Sequence, residues 1–212
     1  MKKLVFALCI SLFVSISLAC SVKNTENALE NGVIRLHVRA NSDSDADQNL
    51  KLKVRDRIIK ECSVFLKNKN IEDARKEIIE NSDKIASVAM SEIQKNGYNY
   101  PVKINFGKSD FPTKIYNDIT LPAGTYEALT VEIGNAEGQN WWCVLFPPLC
   151  FVDETCTGIS EESETILIDN LGEETYDMIK TGNKNDIKIR FKIYEVWENS
   201  KSKLQTLIAK LK

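Results

Sequence analysis

His37 is the chain's only histidine. Any general-base, nucleophile-activating or imidazole-metal chemistry would have to pass through it. Around it lie Arg39, Asn41, Asp43, Asp45 and Asp47, followed by Gln48, Lys51, Lys53, Arg55 and Asp56. Asp43, Asp45 and Asp47 are spaced like the first ligands of a calcium loop. The glycine at the sixth position and the glutamate at the twelfth are missing, being Gln48 and Val54 here, so that reading fails. A closed zinc site would need Cys143, Cys150, Cys156 and His37 at an unfamiliar spacing. No Gly-x-Ser-x-Gly, His-Glu-x-x-His or phosphate-cradling glycine loop occurs. Catalysis therefore has no positive signal, and neither metal nor cofactor is expected. Cys143 and Cys150 can form a disulfide, the six residues between them turning back through Pro147-Pro148.

Two polar clusters remain. The first runs from His37 through Arg39, Asn41 and Asp43. A strand, a helix cap and a solvated helix face explain most of it, and His37 and Arg39 least, since both project from one face of a strand. The second is Gln139-Asn140-Trp141-Trp142, leading into Cys143 to Phe151. Adjacent tryptophans on a strand point to opposite faces. One enters the core, and the other lies under a loop or helix or forms a partner surface. His37, Arg39, Asn41, Asp43, Gln139, Asn140, Trp141 and Trp142 are thus the candidates for partner binding.

The elements that must position these residues follow from periodicity. Val33 to Val38 alternates as a strand. Ser42 with Asp45, or Ser44 with Asp47, caps a helix whose stripe is Leu50, Val54, Ile58, Cys62 and Phe65 or Leu66. Asn70 caps a second helix with Ile71, Ala74, Ile78, Ile85, Val88, Ala89 and Ile93 inside, and Asn96-Gly97 ends it. Strands are expected over 99–106, from Tyr126 to Ile133 and from Trp141 to Phe146, with Leu121 to Gly124 a tight turn and 134–140 a loop. An acidic, loosely held stretch covers 153–163, and a modest helix falls within 164–180. Ile187 to Ile193 reads as a last strand. Trp197 to Lys212 reads as a terminal helix whose apolar stripe docks on the sheet, although its lysines also suit a membrane surface. The fold class is α+β: a single domain with a largely antiparallel sheet of about five strands packed by helices.

The N-terminus speaks for export. Lys2 and Lys3 precede an uncharged run from Leu4 to Leu18, and Ser17-Leu18-Ala19 supplies small residues for a signal peptidase. The run holds 15 residues, short of the roughly 20 a spanning helix needs. Cleavage after Ala19 is the first reading and an uncleaved anchor the second. The third is lipidation of Cys20, because Leu18-Ala19-Cys20 resembles the end of a bacterial lipoprotein signal, with Ser17 in place of the usual branched aliphatic. Residues 20–32 are expected to be a tether and 33–212 the domain. Losing residues 1–19 removes two lysines and no acids, taking the net charge from −2 to −4. A mildly acidic chain with few basic clusters lacks the basic balance of a nucleic-acid binder.

The run Ile34 to Asp43, with Asp47-Gln48 and Leu50 to Asp56, resembles the signature of the stage II sporulation protein R family. So do Gly97-Tyr98-x-Tyr100-Pro101-Val102, Phe111-Pro112-Thr113-Lys114-x-Tyr116 and Leu121-Pro122-Ala123-Gly124-x-Tyr126-x-Ala128-Leu129. The most specific block is Gly138-Gln139-Asn140-Trp141-Trp142 through Phe151. These ordered blocks cover roughly residues 33–153. The resemblance implies an endospore-forming bacterium and a protein made in the forespore and exported into the space between the two sporulation membranes. It implies a partner there, a membrane-embedded aspartic protease of the mother cell that processes the pro-sigma-E precursor. It implies no catalytic residues. The competing reading is an exported hydrolase of cell wall or peptide, built on His37 near carboxylates and thiols.

Overall fold

The computed structural model describes Thr25 and residues 27–67, 69–150 and 159–180. The export segment, Cys20, Cys156, most of the acidic stretch, the strand expected at Ile187–Ile193 and the terminal helix lie outside the described residues.

The molecule is mixed α/β, built on one four-stranded sheet. In chain order the elements are β1 (Ile34–Arg39), α1 (Asp45–Leu66), α2 (Ile71–Glu80), α3 (Ser82–Lys95), β2 (Val102–Phe111), β3 (Lys114–Tyr116), β4 (Ile119–Leu121), β5 (Gly124–Ile133), β6 (Asn140–Phe146), α4 (Glu161–Leu171) and α5 (Glu173–Ile179). The sheet order is β2-β5-β1-β6, and β3 and β4 form a separate two-stranded ribbon. β1 runs parallel to β5, and every other pairing is antiparallel. The parallel contact is possible because the helices α1 to α3 lie between β1 and the later strands, supplying the long crossover that parallel neighbours require.

Alternation on β1 divides the core. Ile34, Leu36 and Val38 join Leu129, Val131 and Ile133 of β5 and Cys143 and Leu145 of β6 under the helices. Leu50, Val54, Ile58 and Cys62 of α1, and Ile78, Ile85, Ala89 and Ile93 of α2 and α3, complete this layer. The opposite sheet face is apolar only at one end. There Ala128, Tyr126, Val144 and Phe111 pack with Ile119 and Leu121 of the ribbon and Leu167, Leu171, Tyr176 and Ile179 of the last two helices.

Several expectations shift in detail. Ser44 is the cap of α1, its hydroxyl accepting from Asp47 N at 3.2 Å. The helix expected from Ile71 to Ile93 is two helices, broken at Asn81. Asn81 Nδ2 donates to the Glu77 carbonyl at 2.8 Å, and Ser82 Oγ donates to the carbonyls of Ile78 and Ile79. Side-chain bonding to the backbone of this kind competes with helix continuation. Ile78 and Ile85 are two turns apart, so the apolar stripe passes through the break in register and conceals it. β2 extends to Phe111 because it pairs with β5 over ten residues. The ribbon occupies what reads as loop, turning at Asn117 with φ 51°. Residues 27–32, read as tether, are helical, and Leu29 is buried against the last helices. The modest helix expected within 164–180 is α4 plus α5, parted at Gly172 with φ 78°, and it starts earlier, at Glu161, inside the stretch read as loosely held, because Ser160 caps it there.

Candidate functional site

The sheet face away from α1 to α3 carries the side chains of interest, in rows set by register. One row reads Lys103, Glu132, Arg39, Asn140 from β2 to β6. The next reads Asn105, Thr130, His37, Trp142. The third reads Gly107, Ala128, Arg35, Val144 and runs under the second core cluster. Across three rows the face passes from charged, through polar and aromatic, to buried.

His37 is only 7% exposed. Its ring stacks on Trp142 with centroids 3.6 Å apart and meets Phe111 edge-on at 6.0 Å. Nε2 donates to Asn140 Oδ1 at 2.7 Å, leaving Nδ1 buried with no hydrogen-bond partner. Burial lowers the imidazole pKa, and neighbouring Arg39 lowers it further. The Asn140 bond and Glu132 oppose this without reversing it. The ring is thus held neutral, and it bonds to no hydroxyl, thiol or carboxylate among the described residues. That geometry orients Asn140 and Trp142, and among the described residues it places no nucleophile in hydrogen-bond contact with the ring.

Arg35 is fully buried. Its guanidinium lies 4.3 Å from the Phe111 ring centroid and 4.8 Å from that of Tyr126. Nη2 donates to Tyr116 Oη at 3.0 Å, while Nε and Nη1 have no hydrogen-bond partner. Burial raises the Tyr116 phenol and raises that of Tyr126 strongly, against the pull of Arg35. Ring faces thus hold the cation where a carboxylate would be usual. Arg39, one row beyond His37, pairs with Glu132 at 3.3 Å, and Lys103 approaches the same carboxylate at 3.6 Å.

Asn41 and Asp43, candidates for partner contact, are engaged inside the chain through their side chains, and Gln139 through its backbone, its side chain staying exposed. Asn41 Oδ1 accepts from Asn135 N at 3.0 Å, and its Nδ2 donates to Asp47 Oδ2 at 2.8 Å. Asp43 Oδ1 accepts from Gln139 N at 2.8 Å, and Lys51 Nζ donates to Gln139 O at 3.0 Å. Burial would raise the Asp47 carboxyl, but bonds from Ser42, Asn41, Tyr100 and Ser44 outweigh it and hold the pKa low. Burial pulls the Lys51 amine down, Arg55 adding to the effect and Asp43 opposing it. Gly138 passes so close that a Cβ there would sit 2.2 Å from the Ser42 carbonyl oxygen. Together these groups latch the β1–α1 loop to the β5–β6 loop and fix where β6 begins.

The two tryptophans do point to opposite faces. Trp142 joins His37, whereas Trp141 faces α1 with the Arg55 guanidinium 4.0 Å over its ring. Of the eight candidates, His37, Arg39, Asn140 and Trp142 share the polar face, and Trp141 lies behind it. Cys143 and Cys150 are joined in a disulfide with Cα atoms 5.5 Å apart. Cys62 is a free buried thiol whose pKa is pushed up to about 12 by burial, with Glu61 adding to it. Among the described residues no three His, Cys, Asp or Glu side chains converge to hold a metal ion, and no helix is long and apolar enough to cross a membrane.

The family model for stage II sporulation protein R matches residues 30–156. A stage II sporulation protein R from Bacillus subtilis (strain 168) is 42% identical over 164 residues, covering 72% of this chain and 73% of that protein. The chain belongs to the stage II sporulation protein R family. No solved structure matches. As a member of a sporulation family not known for enzymes, the chain can be read block by block. The block Ile34 to Asp43 is β1 with its latch, Asp47 to Asp56 is the first half of α1, and Gln139 to Phe146 is the latch with β6. Lys103, Asn105, Thr130 and Glu132 escaped the sequence reading. Their alternation was visible, but only strand order brings them beside His37 and Arg39.

Proposed function

We propose that the chain is an exported signalling ligand of sporulation. Made in the forespore and released into the intermembrane space, it activates a membrane-embedded aspartic protease of the mother cell, which then processes pro-sigma-E. Family membership is the observation that carries this reading, through 42% identity over 164 residues to a stage II sporulation protein R. The export layout of residues 1–19 supports the route. The environment of His37, bonded to an amide and stacked on an indole, supports a binding rather than a hydrolytic role. The polar rows of the sheet are the surface offered to the protease, with Arg39, Asn140 and the exposed edge of Trp142 making contact and His37 holding them in place.

The test is deletion of the gene, with pro-sigma-E followed by immunoblot after asymmetric division. The precursor should persist, and processing should return when the full chain is expressed in the forespore. Normal processing in the deletion strain would overturn the proposal.

A further inference from the structure

Sheet-face charge is unevenly spent. The chain is acidic as a whole, with net charge −2, yet the outermost row presents two cations to one carboxylate. Lys103 Nζ lies 3.6 Å and Arg39 Nη1 3.3 Å from the oxygens of Glu132, and their side chains are 78% and 39% exposed. Arg39 Nε, shielded from solvent, has no hydrogen-bond partner. Beside this row lies a depression of about 280 Å³ lined by Lys103, Asn105, Thr130 and Glu132. The Asn105 amide and Thr130 hydroxyl on its floor make no side-chain hydrogen bond among the described residues. Arg39 has the closer hold on Glu132, donating to its Oε1 at 3.3 Å, which leaves Lys103 at 3.6 Å as the loosely held cation on the rim of a concavity that also offers two polar side chains.

We propose that this depression docks an acidic segment of a partner protein, its carboxylate taken by Lys103, while Arg39 keeps Glu132 engaged, and its backbone met by Asn105 and Thr130. The inference rests on the signalling reading above and names the chemistry its partner must offer. The segment lies across the face. Lys103 stands on the edge strand β2, where lysine discourages strand addition. Opposite charge at such a rim governs encounter and specificity, and it weakens as salt rises.

The purified full chain is titrated at low salt with three probes: a fluorescent ten-glutamate peptide, its ten-lysine counterpart, and phosphatidylglycerol vesicles. The glutamate peptide should bind, and Lys103→Glu should weaken it about tenfold while Lys103→Arg retains it. Lys76→Glu makes the same charge change at an exposed site on α2 and should leave affinity unchanged. Equal weakening by Lys76→Glu, preference for the lysine peptide, binding to vesicles alone, or no binding at all would each overturn the proposal. In cells, processing lost on gene deletion but normal in a Lys103→Glu strain would leave the signalling role standing and overturn this surface. An unchanged melting temperature of Lys103→Glu separates docking from folding.

Discussion

His37 offers a quantitative test because its surroundings assign it a structural job on the polar face of the sheet. His37→Ala removes a ring that is 7% exposed, stacks on Trp142 and bonds to Asn140. The hydrogen bond contributes about 1 kcal/mol net. The aromatic pairings with Trp142 and Phe111 add about 0.5–1.5 kcal/mol each. The expected loss is about 3 kcal/mol, part of it offset if Trp142 settles into the gap. pH gives a second readout. The folded imidazole has a lowered pKa, so the unfolded chain takes up the proton first as the solution is acidified. The stability supplied by the neutral ring is full above about pH 6.5, the unfolded value, and is lost as pH falls from there toward the folded pKa. His37→Phe keeps the stacking and does not titrate, so it should be flatter than wild type between pH 6.5 and 5. Urea unfolding followed by tryptophan fluorescence at pH 7.5 and pH 5 measures both effects. The reasoning is refuted if His37→Ala costs less than about 0.5 kcal/mol, or if His37→Phe and wild type lose equal stability over that window.

Two further outcomes concern the latch. Gly138→Ala would drive a Cβ to 2.2 Å from the Ser42 carbonyl oxygen, and the loop must move. Such overpacking costs about 1–3 kcal/mol, with about 1 kcal/mol more if the Asp43–Gln139 bond breaks, measurable as a lower urea midpoint with unchanged slope. Asp47→Asn weakens the bonds from Ser42 and Asn41 and should cost about 1–2 kcal/mol near neutrality. The low-pKa carboxylate stabilises above about pH 3.9 and loses that contribution as pH falls toward its folded value. The deficit of Asp47→Asn should therefore shrink on acidification, as acid titration of the two proteins would show.

Much of this fold is legible in the chain because its periodicities are strong. Ile34, Leu36 and Val38 declare β1, and the Leu50-Val54-Ile58-Cys62 stripe declares α1. Asn96-Gly97 marks the end of α3, where Gly97 takes φ 83°. The break at Asn81 was hidden by an apolar stripe that stays in register across it. The ribbon of β3 and β4 was hidden because three-residue strands carry almost no alternation. For the site, chain position put His37 beside Asn41 and Asp43, yet the fold separates them. Alternation sends His37 to the polar face, and the latch consumes Asn41 and Asp43. Lys103 and Glu132 reach the face through pairings between strands distant in sequence, which no local pattern encodes. The resemblance located the blocks but could not say that some of their polar residues, Asn41 and Asp43 among them, hold loops together.

Photo-crosslinking in sporulating cells most directly tests whether the sheet's polar face meets the protease. A photoreactive residue is placed at Lys103, Asn105 or Asn140 on that face, and at Lys76 or Ile79 on α2 as controls. The three face positions should label the protease and the α2 positions should not. Labelling from α2 alone, or from none of the five in cells that process pro-sigma-E normally, would contradict it.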